Sequence, residues 1–335
     1  MKREIGSEFS TPHAPKQAAP APGEAHLLSG RGALWFILED MAATRPVERV
    51  WLPAYCCESM IQPFAQRGLD IRFYPVGPEE ATVPALGEGD VLLLLDFFGY
   101  RREENRKLAR RAQAAGAAVI YDATHKLDGH PAAEAHADYS FCSFRKWFYC
   151  NDAVAVKHTG TFLSDVGGPH ARYTALRNKA AVEKARYLRG EGGDKGAFLQ
   201  DFAAAEQLLE QDYAGYAGQP VEFDVAAIRA RRRENAACLI EKLKDLPGLR
   251  LWRDRLGEED TPLFVPILLE PARRDELRAA LIGADIYCPV HWPRPPFRGA
   301  ESDLYSRELS LVCDQRYTPA DMERIVRVIQ DYFNR

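Results

Sequence analysis

The sequence contains no apolar run of membrane-spanning length. Stretches such as Val91 to Leu95, which ends at Asp96, are far shorter than the roughly 20 apolar residues that a membrane helix needs. Lys2, Arg3 and Glu4 bring charge to the amino terminus and no apolar segment follows them, so a secretory signal is not expected. The sequence therefore predicts neither an integral membrane protein nor a secreted one.

A disulfide or zinc pattern is also missing. The seven cysteines are odd in number, and no two of them have C-x-x-C spacing. They are Cys56, Cys57, Cys142, Cys150, Cys238, Cys288 and Cys313. Neither a disulfide framework nor a metal site is expected from this usage, which is typical of a reduced, cytoplasmic protein.

The chain has no excess of positive charge. Its 44 basic and 48 acidic residues give a net charge of −4, so no broad positive field attracts nucleic acid or an anionic membrane. A local basic pocket for a small anion remains compatible with this balance. With 46% apolar and 27% charged residues the composition is that of an ordinary globular protein, and 335 residues suffice for about two domains.

Composition divides the chain into a tail and two domains. Residues 1–26 hold four prolines among Ala, Ser and Gly, and we expect them to be mobile. Residues 27–215 alternate helices with strands such as Val91–Leu95 and Ala117–Tyr121, which are apolar throughout. Such strands predict an α/β domain with a mostly parallel sheet. Shorter strands and helices over residues 216–335 predict a smaller α+β domain.

Ligands of open parallel sheets bind beyond the carboxyl ends of the strands, and three segments place polar residues there. The first is the predicted helix start at Ser29-Gly30-Arg31-Gly32. Free backbone N–H groups and glycine at such a start form a cradle for phosphate. The plain alternative is a serine N-cap with a glycine turn.

The second segment is Asp122, which directly follows an apolar strand, with His125 three residues later. A carboxylate there is costly unless it meets a partner, although it can also cap the next turn. The third is Lys146, between Arg145 and Trp147. A partly desolvated lysine beside another cation can act as an amine nucleophile, and the alternative is a surface lysine.

Together the three segments predict a pyridoxal 5′-phosphate site. Lys146 would form the Schiff base, and Asp122 would pair with the pyridinium nitrogen so that the ring acts as an electron sink. The helix start at Gly30 would hold the phosphate.

From about residue 27 to its end, the chain resembles fold-type I pyridoxal phosphate enzymes, specifically the DegT/DnrJ/EryC1/StrS aminotransferases. The residues that carry the resemblance are Ser29-Gly30-Arg31-Gly32-Ala33-Leu34, Leu52-Pro53-Ala54-Tyr55, Phe98-Gly99, Tyr121-Asp122-Ala123-Thr124-His125, the segment from Ser140-Phe141 to Lys146, and Ser310-Leu311-Val312-Cys313-Asp314. In the family these positions usually include Ser-Gly-Thr, Asp-Ala-x-Gln/His and Ser-Phe…Lys.

The resemblance implies roles for single residues. Lys146 would carry the cofactor and move protons, Asp122 would bind the ring nitrogen, and His125 would contact the phenolic oxygen. The implied phosphate ligands are Gly30, Arg31 and one serine, either Ser143 or Ser140. Tyr55, at the start of a helix expected over Tyr55–Gln66, would cover the ring face. The resemblance further implies a homodimer.

The resemblance implies an aminotransferase that moves an amino group from a glutamate-like donor to a keto sugar nucleotide or a similar polar ketone. His291 is a candidate substrate contact, as are four arginines near it and Trp292 that could hold an anionic substrate group. The arginines are Arg294, Arg298, Arg307 and Arg316. Two alternatives remain: a lyase, dehydratase or cyclase that uses the same cofactor on an amino acid, and a non-catalytic regulator with this fold.

Overall fold

A seven-stranded sheet forms the centre of the protein. The fold is given by a computed structural model that describes residues 4–11, 20–79, 81–100, 102–127 and 136–334. The strands run in the order β2-β8-β7-β6-β5-β3-β4, and all neighbours from β7 to β4 are parallel. Their bounds are β2 Glu24–Leu27, β3 Arg49–Pro53, β4 Asp70–Tyr74, β5 Asp90–Leu95, β6 Ala118–Asp122, β7 Tyr139–Ser143 and β8 Ala153–Lys157. The expected α/β class with a mostly parallel sheet is confirmed.

The central strands β5 and β6 are buried along their whole length, as their apolar sequences predict. Helices cover both faces of the sheet and create two apolar layers. The helices of this half are α1 Gly30–Thr44, α2 Glu58–Gln66, α3 Arg102–Ala114, α4 Ala171–Arg189 and α5 Lys195–Gln211. Helix α2 thus begins at Glu58, three residues after the expected Tyr55.

Parallel pairing brings the ends of three strands to one edge of the sheet. Leu95, the last residue of β5, pairs with Asp122, the last residue of β6, and Asp122 in turn pairs with Phe141 of β7. Two residues beyond Phe141, β7 ends at Ser143 and a short 3₁₀ turn carries the chain to Lys146. The residues selected from the sequence therefore leave the sheet at the same edge.

The carboxyl-terminal part builds a second core around an antiparallel sheet of order β12-β10-β9. Its elements are α6 Val225–Leu243, β9 Arg250–Leu251, β10 Phe264–Leu268, α7 Pro271–Gly283, β11 Ile286–Tyr287, α8 Leu304–Arg307, β12 Glu308–Val312 and α9 Pro319–Phe333. The loop between β11 and β12 carries His291 and Trp292 toward the edge of the large sheet.

The amino-terminal residues differ from the expected mobile tail. Strand β1, Ile5–Gly6, pairs in parallel with β11, and Ile5 is completely buried in the second core. Strand β2 pairs antiparallel with β8 and is the outermost strand on that side of the large sheet. The prolines at positions 12 and 15 lie outside the described residues.

All seven cysteines are free thiols, and five of them are buried. Within the described ranges, no helix combines the length and the apolar character that a membrane crossing requires.

Candidate functional site

The edge where β6 and β7 end opens into a first cavity of about 130 Å³. It brings together most of the residues that the sequence singled out, from α1, β6, β7 and the loop before β12. Its lining consists of Ser29, Gly30, Arg31, Leu34, Cys57, Ser59, Met60, Asp122, Thr124, His125, Phe141, Ser143, Arg145, Lys146, Glu206, Leu209 and Trp292.

The start of α1 forms one wall of this cavity. Ser29 is its N-cap and accepts a hydrogen bond from the Gly32 N–H at 3.1 Å. The N–H groups of Gly30 and Arg31 lie in the first turn, where backbone N–H groups have no acceptor within the helix. A side chain at Gly30 would place its Cβ 3.2 Å from the Cβ of Ser143, so glycine permits this close approach. The Arg31 Nε is buried and is without a hydrogen-bond partner in the described part of the chain. A small anion at this position would meet three donors of the helix start.

Of the two serines proposed for the phosphate, only Ser143 lines the cavity. The Ser140 hydroxyl lies 2.9 Å from His158 Nε2 and is not part of the cavity wall. Ser140 and Ser143 are three positions apart on β7, and side chains alternate between the two faces of a strand. They therefore point to opposite faces of the sheet.

Asp122 lies in the cavity floor and is 3% exposed. Its Oδ1 accepts a hydrogen bond from the Thr124 N–H at 2.8 Å. Burial raises the pKa of Asp122 to about 6, although the hydrogen bonds of Thr124 and the charge of Lys146 act in the opposite direction. A positively charged partner in the cavity would complete the stabilisation of the carboxylate.

Lys146 ends the 3₁₀ turn after β7 and remains accessible between the buried Phe144 and Trp147. It lines the first cavity and also a second, adjoining one of about 400 Å³. The amine therefore reaches both spaces. By contrast, Lys157 is engaged 2.7 Å from Asp40 and lines neither cavity.

An ion pair beside Lys146 was not expected from the sequence. Arg145 lies 2.8 Å from Glu206 and donates to the Tyr173 hydroxyl at 2.8 Å. Burial opposes ionisation of Glu206, but the charge and hydrogen bond of Arg145 lower its pKa to about 2. No local pattern pointed to Glu206, because it lies in the middle of α5 and meets the site only in the folded chain.

The second cavity lies between the amino-terminal segment and the second core. It is lined by Gly6, Ser7, Glu8, Phe9, Arg145, Lys146, Leu199, Arg232, Leu263, Phe264, Tyr287, Pro289, His291, Val312, Asp314 and Arg316. Arg316 pairs with Asp314 at 2.8 Å, donates to the carbonyl groups of Ser7 and Glu8, and keeps about a quarter of its side chain exposed. The cavity thus presents cations and His291 beside Lys146.

The other three candidate arginines lie outside both cavities. Arg294 pairs with Glu301 on the surface, and Arg298 is exposed. Arg307 pairs with Asp303, its fourth neighbour along the chain. Of the four, only Arg316 lines one of these two cavities.

His125 and His291 meet between the cavities, with their Nε2 atoms 3.0 Å apart. The Nδ1 atom of His125 accepts the Phe98 N–H at 3.2 Å. Both ring nitrogens of His125 therefore have protein partners, and His125 lines the first cavity together with Asp122 and Lys146. The imidazole stacks on Trp292 with a centroid distance of 5.4 Å.

Tyr55 is completely buried and does not line the first cavity, which differs from its expected position over the cofactor ring. Its hydroxyl donates to Glu308 Oε2 at 3.1 Å, and the same oxygen accepts the His291 N–H at 3.0 Å. The Ser310 hydroxyl donates to the other oxygen at 2.5 Å. Glu308 thus ties the loop of His291 and Trp292 to the large domain.

The fold is shared with solved aminotransferase structures. A DegT/DnrJ/EryC1/StrS aminotransferase from Brucella abortus matches with 17% identity and a TM-score of 0.60, over 93% of this chain and 86% of its own. DesI, solved with its TDP-sugar product, matches with 17% identity and a TM-score of 0.56, over 93% and 81%. Helicobacter pylori PseC, an aminotransferase of pseudoaminic acid biosynthesis, matches with 13% identity and a TM-score of 0.61, over 93% and 86%. No protein-family model and no curated protein sequence matches the chain.

These structural matches confirm the expected fold-type I architecture, and the Brucella abortus protein is itself a DegT/DnrJ/EryC1/StrS aminotransferase, the family that the sequence resembles. At these identities the similarity establishes the fold alone.

Glu308 gives the folded protein a pH-dependent stability. Burial raises its pKa from 4.5 to about 7, against the hydrogen bonds of Ser310, His291 and Tyr55. Between these two values the folded protein keeps a proton that the unfolded chain has lost, so stability falls as the pH rises through this window. We expect Glu308→Gln to remove this fall, which is about 3 kcal/mol for a shift of this size.

The free energy of unfolding of the wild type and of the variant is measured in urea at about pH 4 and about pH 8. The difference between the two proteins should change between these pH values. Glu301→Gln is the matched control, because this carboxylate is 70% exposed and surface ion pairs contribute little. An equal difference between wild type and Glu308→Gln at both pH values would contradict the assignment.

Proposed function

We propose that the chain is a pyridoxal 5′-phosphate-dependent aminotransferase of the DegT/DnrJ/EryC1/StrS family. It would transfer an amino group from a glutamate-like donor to a keto sugar nucleotide or a similar polar ketone. One observation carries the proposal: Lys146 lies between a cavity with an anion cradle and a buried carboxylate, and a second cavity with cationic walls. The fold shared with solved aminotransferases, and with DesI solved in the presence of its TDP-sugar product, supports it.

The residues of the first cavity fit pyridoxal phosphate. The N–H groups of Gly30 and Arg31, the unpartnered Arg31 Nε and the Ser143 hydroxyl are donors of the kind that bind phosphate. Asp122 offers a carboxylate to a protonated ring nitrogen, and Lys146 offers an amine. When bound, this cofactor supplies the electron sink that amino transfer requires.

The protein groups have separate tasks around that chemistry. Asp122 would hold a proton on the ring nitrogen, and the Thr124 N–H fixes its Oδ1. Lys146 would hold the cofactor through its amine and would move a proton at a substrate carbon, because Lys146 lines both cavities. The ion pair of Arg145 with Glu206 fixes the backbone on the amino-terminal side of Lys146.

The second cavity fits a polar, anionic substrate. Arg316 and Arg145 supply guanidinium groups of the kind that bind carboxylate or phosphate. Phe264 and Phe9 provide apolar surface for the body of the substrate.

Lys146 is expected to carry the cofactor. After incubation with pyridoxal phosphate and reduction with borohydride, the label should lie on the peptide that contains Lys146. Lys146→Ala should remove the label and lower the production of a 2-oxo acid from glutamate roughly 10²- to 10⁴-fold, the range for a positioned acid–base group. Lys157→Ala is the control, since Lys157 faces Asp40.

A label on Lys126 or Lys157 in the wild type would overturn the assignment of Lys146. A label on Lys146 without any 2-oxo acid from glutamate or another amino donor would retain the cofactor site and reject amino transfer, as expected for a lyase, dehydratase or cyclase.

Arg316 is expected to bind the anionic substrate group. Charge-assisted hydrogen bonds contribute about 1.5 to 3 kcal/mol each, so Arg316→Met should raise KM for one substrate roughly tenfold or more. Arg294→Met is the matched control, because Arg294 is 58% exposed and pairs only with Glu301. Steady-state kinetics with donor and acceptor varied separately measures the effect, and the thermal midpoint reports whether the contacts of Arg316 with Ser7 and Glu8 affect folding. Unchanged KM values for both substrates would place the anion site elsewhere.

We further propose that the working unit is a homodimer. The resemblance of the sequence to fold-type I enzymes supports this assembly. Light scattering at assay concentration should give twice the mass of the chain, and a fully active monomer would contradict it.

A further inference from the structure

The tautomer of His125 follows from its backbone partner. The Phe98 N–H donates to His125 Nδ1 at 3.2 Å, so this nitrogen must present a lone pair. The proton of the neutral ring is then on Nε2, the atom that faces His291. This assignment comes from the hydrogen-bond network, since a backbone N–H has no acceptor role to offer.

His291 is fixed as the next member of the chain of hydrogen bonds. Its Nε2 lies 3.0 Å from His125 Nε2 and accepts that proton, which leaves the proton of His291 on Nδ1. The two rings meet edge to face with a centroid distance of 4.6 Å. Hydrogen-bond donation therefore runs in one direction: the Phe98 N–H donates to His125, and His125 donates to His291.

The surroundings keep both rings neutral. Loss of water around His125 lowers its pKa well below the usual range, and the charge of Lys146 adds to this effect. For His291 the causes are the same loss of water, then His125 and Lys146. Lys146 is thus the charged group that acts on both imidazoles, and their other neighbours are the rings of Phe98, Trp292 and Phe264.

The backbone of His291 is held independently of its side chain. Glu308 Oε2 accepts the His291 N–H and the hydroxyl of Tyr55, a residue of the large domain. The imidazole therefore extends from an anchored position, so it can hold His125 in place.

We propose that His291 is a positioning residue, whose Nε2 accepts the His125 Nε2–H and holds that ring as a neutral wall of the cavity beside Lys146. Its Nε2 is consequently not a substrate ligand, in contrast to the direct substrate contact expected from the sequence. The wall also supports Trp292, which stacks on His125 with an interplanar angle of 23° and lines the first cavity. A cationic ring at this position would place a second positive charge beside the Lys146 amine.

The tautomers are tested by nitrogen-15 NMR on the full chain labelled at its eight histidines, before and after addition of pyridoxal phosphate. Assignment uses His125→Gln and His291→Gln. We expect His125 to show an unprotonated Nδ1 and a protonated Nε2, and both rings to remain neutral at about pH 6, below the ordinary histidine pKa of about 6.5. A cationic His125, or one with its proton on Nδ1, would overturn the proposal.

The positioning role rests on the proposed amino transfer and is tested by kinetics. His291→Phe keeps an aromatic ring but removes the acceptor, and we expect kcat to fall about three- to tenfold with an unchanged KM for the acceptor substrate. His291→Gln keeps an acceptor oxygen and should restore most of kcat. His158→Gln is the control, because His158 bonds Ser140 and lines neither cavity.

The two readouts separate the possible failures. Equal losses in His291→Phe and His291→Gln, or a change confined to KM, would show direct substrate binding and overturn the positioning role. If the chain proves to have no aminotransferase activity, the nitrogen-15 spectra still decide the proposal. The predicted tautomers must be present in the wild type, and the His125 Nε2 resonance must shift in His291→Phe, which removes its hydrogen-bond acceptor but leaves the Phe98 N–H in place. An unchanged His125 Nε2 resonance in that variant would refute the proposal.

Discussion

The parallel register of β5, β6 and β7 is the constraint on which the rest of the site depends. Because Asp122 pairs with Phe141, β7 continues for two residues past the end of β6 and delivers Ser143 and then Lys146 above the buried carboxylate. A slip of one residue would move Ser143 by about 3.3 Å and turn it to the opposite face. The register is therefore a condition for the chemistry as well as for the core.

The polar groups gathered at this edge are stabilised in different ways. Asp122 and Glu308 have raised pKa values because they are deeply buried, and each is held by hydrogen-bond donors. His125 and His291 avoid the cost of a buried charge by remaining neutral and bonding to each other. Arg145 keeps its charge through the neighbouring Glu206. The site thus leaves the amine of Lys146 accessible beside buried groups that neighbouring residues hold in place.

Local sequence was sufficient to find the residues at the ends of buried strands. Asp122 and Lys146 stand out because an apolar strand that ends in a polar group is visible without any knowledge of distant contacts. The alternation of side chains along β7 also distinguishes the two serines. Phe141 and Ser143 share one face of the strand and both line the cavity, whereas Ser140 belongs to the other face. That inference was available from the sequence once the strand was placed.

The remaining parts of the site depend on contacts between distant segments. Arg316 bonds the carbonyl of Ser7 across 309 positions, and His291 meets His125 across 166 positions. Neither pairing leaves a periodic or compositional signal, and the surface arginines near His291 have the same local pattern as Arg316. The cavity that would hold the cofactor is built largely from strand ends and one helix start, which explains why local patterns predict it well. The second cavity takes its walls from both ends of the chain, so the residues that would select the substrate lie where local sequence carries the least information.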